Sequence, residues 1–221
     1  MAKAGDALAQ PGRLPAPLEM AAVLTLLSLL PAILVSVTCF TRIIIVLSFV
    51  RRAIAIQELP PNQVLMGLSL FLTLFIMYPT ASQVYDKAIV PYSEGKVSLK
   101  EAGMEGSTII KGFLLHHTRD SDLQLFVDIS GTAKPNNKQD LELRIVVPAF
   151  LMSEIKTAFT MGFLIFLPFI LIDLVVSAVL LSMGMFMLPP TMISTPLKVL
   201  LFVLVDGWNL VIRSLVESVQ V

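Results

Sequence analysis

The chain is 221 residues long and 56% hydrophobic, with only 14% of its residues charged and a mean hydropathy of +0.83. Soluble domains run at about 45–50% apolar and about 25% charged, so both departures point to a membrane or membrane-derived assembly. Sixteen basic residues balance sixteen acidic ones, which excludes the basic field of a nucleic-acid binder. The one cysteine, Cys39, can form neither an intrachain disulfide nor a metal site by itself.

The opening stretch, "MAKAGDALAQPGRLPAPLEM", is rich in proline, alanine and glycine and lacks the apolar core of a signal peptide. Residues 1–19 read as a flexible tail. Either topology is set by the first membrane segment, or a leader is absent from this form of the chain. A first apolar segment runs from about Met20 to Phe40, where Pro31 is expected to introduce a kink, and continues past Arg42 into "IIIVLSFV". A second runs from about Gln63 to Tyr78 and is expected to stop at Pro79. Residues 20–80 thus form two hydrophobic helices, joined by a loop that carries Arg51 and Arg52.

Residues 81–147 differ in kind. They hold more than half of the charged residues in less than a third of the length. "SLKE", Ser98 to Glu101, is a capping-box pattern that predicts a helix start, with Ile109, Ile110, Phe113 and Leu114 giving an apolar face as far as about His117. A second short helix is predicted from Asp120 to Ile129, with Leu123, Phe126 and Val127 at i, i+3 and i+4. "SGTAKPNNKQD" reads as a mobile loop. The following "RIVV" is expected to be extended, with Pro148 in the first turn of the next helix.

Residues 148–221 form a second hydrophobic hairpin. Its first arm spans about Thr157 to Met183, with Asp173 as the only charge, and its second about Met192 to Val205, with Lys198 inside. A bilayer crossing takes ~20 residues. The first arm of this hairpin meets that length easily, the segment ending at Tyr78 is borderline, and the last is short. Some of these helices are therefore expected to pack on partner subunits rather than on lipid. The arginine pair places the loop at Arg51 and Arg52 in the cytoplasm, so the charged domain faces outward and the loop after Met183 returns to the cytoplasmic side.

No P-loop, GxGxxG, HExxH or GxSxG pattern is present. His116 and His117 are neighbours on a predicted helix and point apart, which suits an exposed helix end better than a metal site. No cofactor is expected, and no enzymatic activity. Arg42, Asp173 and Lys198 lie where hydrocarbon is expected, at ~2.5–3.5 kcal/mol each on insertion scales, so they should face protein or water. Two readings stay open: ion pairing or hydrogen bonding between subunits, and an ion pathway. Glu154 and Lys156 read as an ordinary solvated helix start. Phe113 and Phe126 read as core, although a domain this small buries little by itself, and an exposed apolar face on it would be an interface.

Between those arms, "SMGMFMLPPTM" holds four methionines and a phenylalanine where a polar turn is expected. One reading is a tightly packed helical hairpin. Several longer strings carry a more specific resemblance: "TCFTRIIIVLSFVRRA", "LPPNQVLMGLSLFLTLFIMYP", "HHTRDSDLQLFVDI", "RIVVPAFLMSEIKTAFTMGFLIFLPFILIDLVVSAVLLSMGMFMLPP" and "KVLLFVLVDGWNLV". In this order, from about Phe40 to Leu210, the chain resembles the FliP family of flagellar type III export-gate proteins, homologous to the SctR proteins of virulence injectisomes. "VDGWNL" and "PPNQV" look flagellar.

The resemblance implies an all-α, membrane-derived fold: helical hairpins with a small inserted α-helical periplasmic domain, assembling into a ring or helical cone. It implies a non-enzymatic pore subunit of the inner membrane and flagellar basal body. A homo-oligomer, a pentamer, would join FliR and FliQ subunits and conduct unfolded flagellar axial proteins, with FlhA and FlhB as further export-gate proteins and FliO as an assembly factor. Much of such a cone stands above the membrane plane. Met185, Phe186 and Met187 match the loop that lines the closed pore as a gasket, and Phe186 departs from the methionine of many members. Phe113, Phe126 and Glu154 match positions used for association between copies. The rivals are an ion-coupled secondary transporter built on Arg42, Asp173 and Lys198, a pure assembly scaffold, and the homologous injectisome subunit.

Overall fold

A computed structural model describes residues 16–56, 59–131 and 137–220. Nearly all of the tail expected over residues 1–19 and the centre of the loop expected after Ser130 lie outside the described residues. Among those residues every regular element is helical. The chain divides into two compact units, residues 1–35 and 36–221.

The first unit holds most of helix α1, Ala16–Val37. Leu24, Leu27, Leu30 and Ile33 are exposed along it, as suits a helix whose environment is lipid or another chain. Pro31 removes one backbone donor, yet the helix runs through it. Helical structure is interrupted later, at Thr38 and Cys39.

The second unit is built around α2, Phe40–Ile54. Ile43, Val46, Leu47 and Val50 recur at the three- and four-residue spacing that lines one helix face, and all four are fully buried. Leu65 and Ile76 of α3 (Asn62–Val84), Ala158 and Phe169 of α7 (Leu143–Ser182), Phe202 of α8 (Thr191–Leu204) and Leu215 of α9 (Gly207–Gln220) close the core around α2. The stop expected at Pro79 does not occur. Helix α3 continues to Val84, widens into a π turn over Tyr85–Ile89 and ends as the short α4, Val90–Ser93. The missing donor is tolerated because α5 packs along α3 and this turn, so tertiary contact outweighs one lost hydrogen bond.

Helix α5, Leu99–His117, starts where the sequence predicts, in a full capping box. The Ser98 hydroxyl accepts from the Glu101 N–H at 3.3 Å, and the Glu101 carboxylate accepts from the Ser98 N–H at 2.8 Å. Helix α6, Asp120–Ser130, stops at Gly131, whose φ of 65° favours a residue without a side chain. With Leu114, Leu123, Val127 and Leu141, the residues Ile145, Val146, Ala149 and Phe150 form a second core.

That second core explains a correction. "RIVV" is not extended: α7 begins at Leu143 and runs 40 residues, with Pro148 and Pro168 inside it. Burial of Ile145 and Val146 against α5 and α6 outweighs the preference of their β-branched side chains for strand. Helix α8 lies where its apolar run predicts. Helix α9 was not foreseen, although Val211, Leu215 and Val219 mark a buried face at spacings of four.

Among the described residues two helical stretches are long and apolar enough to cross a membrane, residues 62–93 and 143–182. Two more spans follow only if the end of α1 with α2, and α8 with α9, each count as one broken span.

A charged node on α7 and an exposed methionine loop

Four polar side chains of the α7 stretch "SEIKT", Ser153, Glu154, Lys156 and Thr157, tie α2 and the start of α6 to α7. Glu154 is fully buried, and its carboxylate receives Arg42 of α2 through two parallel contacts, Nε to Oε2 at 3.0 Å and Nη2 to Oε1. Only 4% and 1% of the two side chains are exposed. The remaining Arg42 nitrogen, Nη1, donates to the backbone carbonyl and hydroxyl of Ser218 in α9, at 2.7 and 3.1 Å. Every face of this buried guanidinium is therefore occupied, which is the condition for holding such a charge out of water. The sequence-based picture of Glu154 as a solvated helix start is overturned, and Arg42 is satisfied within its own chain.

Beside this pair, Ser153 donates to Asp122 of α6 at 2.7 Å and accepts the Arg119 N–H at 3.0 Å. Lys156 bonds the other Asp122 oxygen, and Arg119 reaches Thr157 at 3.0 Å. Burial would raise the Asp122 carboxyl, but hydrogen bonds from Lys156 and Ser153, with the charges of Lys156 and Arg119, hold it below the usual carboxylate range. His117 joins the node from α5: its Nδ1 lies 2.8 Å from the Phe113 carbonyl and its Nε2 2.8 Å from that of Val219 in α9. Only His116 is the exposed helix end that the pair suggested.

Sequence reasoning missed Ser153, Asp122 and Ser218, and it read Lys156 only as part of a solvated helix start. For Ser153 and Lys156 the available signal was polar residues crowded into one α7 turn within an otherwise apolar helix.

A further ion pair clasps the α7–α8 hairpin, where Lys198 Nζ lies 2.6 Å from Asp173 Oδ2. Lys198 is buried, whereas 39% of the Asp173 side chain is exposed, so only two of the three charges expected inside are enclosed by the chain. The Phe169 and Phe202 rings of the same two helices lie 6.4 Å apart, tilted by 45°. Phe113 and Phe126 are both half-buried: Phe113 packs against both cores, 6.0 Å from Phe150, and Phe126 against the second.

At the end of this hairpin α7 is closed by two reverse bonds, Gly184 N–H to Leu181 O and Met185 N–H to Leu180 O, both 3.0 Å. With Gly184 at a φ of 74°, this is a Schellman cap. It turns the chain sharply and leaves the next side chains outside. Phe186 is 76% exposed and Met187 98%, and Met183 and Met185 are also open to solvent. The reading of this stretch as hairpin packing does not hold for its tip, where Phe186 and Met187 stand largely clear of the described residues.

Among the described residues no three His, Cys, Asp or Glu side chains group to hold a metal ion. Among the described residues the geometry defines a helical, membrane-capable protein whose helices are tied by a buried ion pair and whose α7–α8 connection carries apolar side chains outward. The chain belongs to the FliP family, whose model matches residues 23–215.

It is 55% identical over 196 residues to the flagellar biosynthetic protein FliP of Bacillus subtilis, covering 89% of each chain. Identity to the protein of that name from Pectobacterium carotovorum is 48%, covering 89% of this chain and 76% of the relative. To that from Buchnera aphidicola of Acyrthosiphon pisum it is 48%, covering 91% of this chain but 53% of the longer relative.

Proposed function

We propose that this protein is a pore-forming subunit of the flagellar type III export gate, which conducts unfolded axial proteins across the inner membrane. The single observation that carries this reading is the exposed, rigidly capped loop Met185–Met187 at the tip of an ion-paired hairpin. Several copies in a ring would bring these loops together at the axis. Thioethers bend to fill irregular space, and a ring of them with Phe186 closes a channel to ions yet yields to a polypeptide.

In this reading the copies form a pentamer with FliR and FliQ, adjacent to FlhA and FlhB and assembled with FliO. The charged helices α5 and α6 are the periplasmic part. Glu154 is engaged inside its own chain, so its contribution to association between copies is indirect: it fixes α2, α7 and α9 behind the surface that carries Phe113. The transporter reading is disfavoured because Arg42 and Lys198 are both held in ion pairs.

Replacing Met185, Phe186 and Met187 together by glycine tests the gasket. Cells carrying the variant are expected to leak small ions while the complex still assembles. An assembled complex that stays tight would contradict the reading.

A further inference from the structure

Helix α9 has no basic residue in its own last turn. The last four carbonyls of a helix lack a partner inside it and carry the negative end of its dipole. Two of those carbonyls, on Ser218 and Val219, are met from other elements. Arg42 Nη1 of α2 donates to the first at 2.7 Å, and His117 Nε2 of α5 lies 2.8 Å from the second. The other His117 nitrogen, Nδ1, lies 2.8 Å from the Phe113 carbonyl.

A backbone carbonyl only accepts. A neutral imidazole has one N–H and a lone pair on its other nitrogen, whereas the imidazolium donates at both. With a carbonyl oxygen at hydrogen-bond distance from each nitrogen, only the imidazolium makes both bonds, and in the neutral ring one lone pair faces another. The Phe113 ring lies 4.4 Å from the imidazole and the His116 ring 4.9 Å, so turning the ring away from either carbonyl disturbs this packing.

The charged surroundings are compatible with a cation. The Glu154 carboxylate of α7 acts on His117 through charge. Arg42 is bound to that carboxylate and to Ser218, and the Cys39 thiol lies within reach of both members of the pair. Arg119 and Asp122, at the start of α6, are engaged with Thr157, Ser153 and Lys156. Arg213 and Glu217 of α9 pair with each other on its exposed face.

We propose that His117 is a proton-dependent latch on the end of α9. The imidazolium ties the last turn of α9 to α5, and loss of its proton to solvent leaves one bond where there were two. The Phe113 carbonyl sits inside a regular helix, whereas Val219 is one residue from the end of α9, so the α9 contact is the one that yields. Histidine changes charge between about pH 5 and 8. The turn is therefore held at the acid end of that range and freed at the alkaline end, while Val211 and Leu215 keep the rest of α9 in the core. This inference does not depend on the export-gate reading.

The test uses the full-length chain in detergent with isotope-labelled histidine. The chain has two histidines, so in H116Q the ring resonances report His117 alone. Amide hydrogen exchange over residues 215–219, corrected for its intrinsic rate, is read at about pH 5 and about pH 8. In the unaltered chain and in H116Q, both His117 nitrogens are expected to carry protons at the lower pH, and protection of the turn is expected to fall on the order of tenfold at the higher. H117Q, with folding checked by helicity, is expected to show low protection at both. A singly protonated His117 ring while the turn is protected overturns the latch, as does protection that does not change with pH or a pH step of equal size in H117Q. Should H117Q fail to fold, the ring resonances and the pH step in H116Q still decide.

Discussion

A guanidinium and a carboxylate each lose several kcal/mol on leaving water, and their attraction offsets this only where the remaining donors and acceptors are also satisfied. Arg42 and Glu154 meet that condition through the parallel contact and the two bonds to Ser218. The pair is therefore worth little against a well-packed apolar replacement, but breaking it from one side is costly. R42M or E154Q alone is expected to destabilise the full-length chain by about 3–5 kcal/mol in chemical unfolding followed by helicity, whereas R42M/E154L is expected to cost far less than the sum. Additive losses would mean that the two side chains do not act as a unit. The same contact explains why these residues were only half-legible in the sequence. An arginine inside an apolar run announces a partner, but the partner lies 112 residues away, in a turn that reads as a solvated helix start.

Between elements, α6 is held to α7 by Asp122, whose carboxylate faces Ser153 and Lys156. Its folded form binds a proton less readily than the unfolded chain does. The stabilisation is thus full above the ordinary carboxylate range and is lost as pH falls through the depressed folded value. Acid titration of thermal stability is expected to show such a fall, and D122N to remove that component while lowering stability at neutral pH by about 1–3 kcal/mol. An unchanged acid profile in D122N would contradict it. Element types were legible wherever the signal was local. The capping box at Ser98, the 3–4 spacing of Leu123, Phe126 and Val127, and the apolar runs of α3, α7 and α8 all predict what is found. Prolines misled the element boundaries. Pro79 and Pro148 look like a stop and a start, yet both lie inside helices, because contacts made by distant residues outweigh one missing donor.

For the molecule as a whole, the surface is as informative as the core. Phe71, Phe75 and Tyr78 on α3, and Phe163, Leu171 and Leu174 on α7, are all open to solvent in the single chain. Apolar faces this extensive mark contacts with lipid or with other chains, and the short helices α8 and α9 add little span of their own. The resemblance to the FliP family was legible in long ordered strings, and the family match over residues 23–215 bears it out. What one chain's fold does not encode is how many copies meet, since that depends on these outward faces. The native mass of the protein, purified in mild detergent after co-expression with FliQ and FliR, tests the central claim most directly. A discrete complex with several copies of this chain and one FliR is the predicted result. A monomer or simple dimer, free of both partners in several detergents, would contradict it.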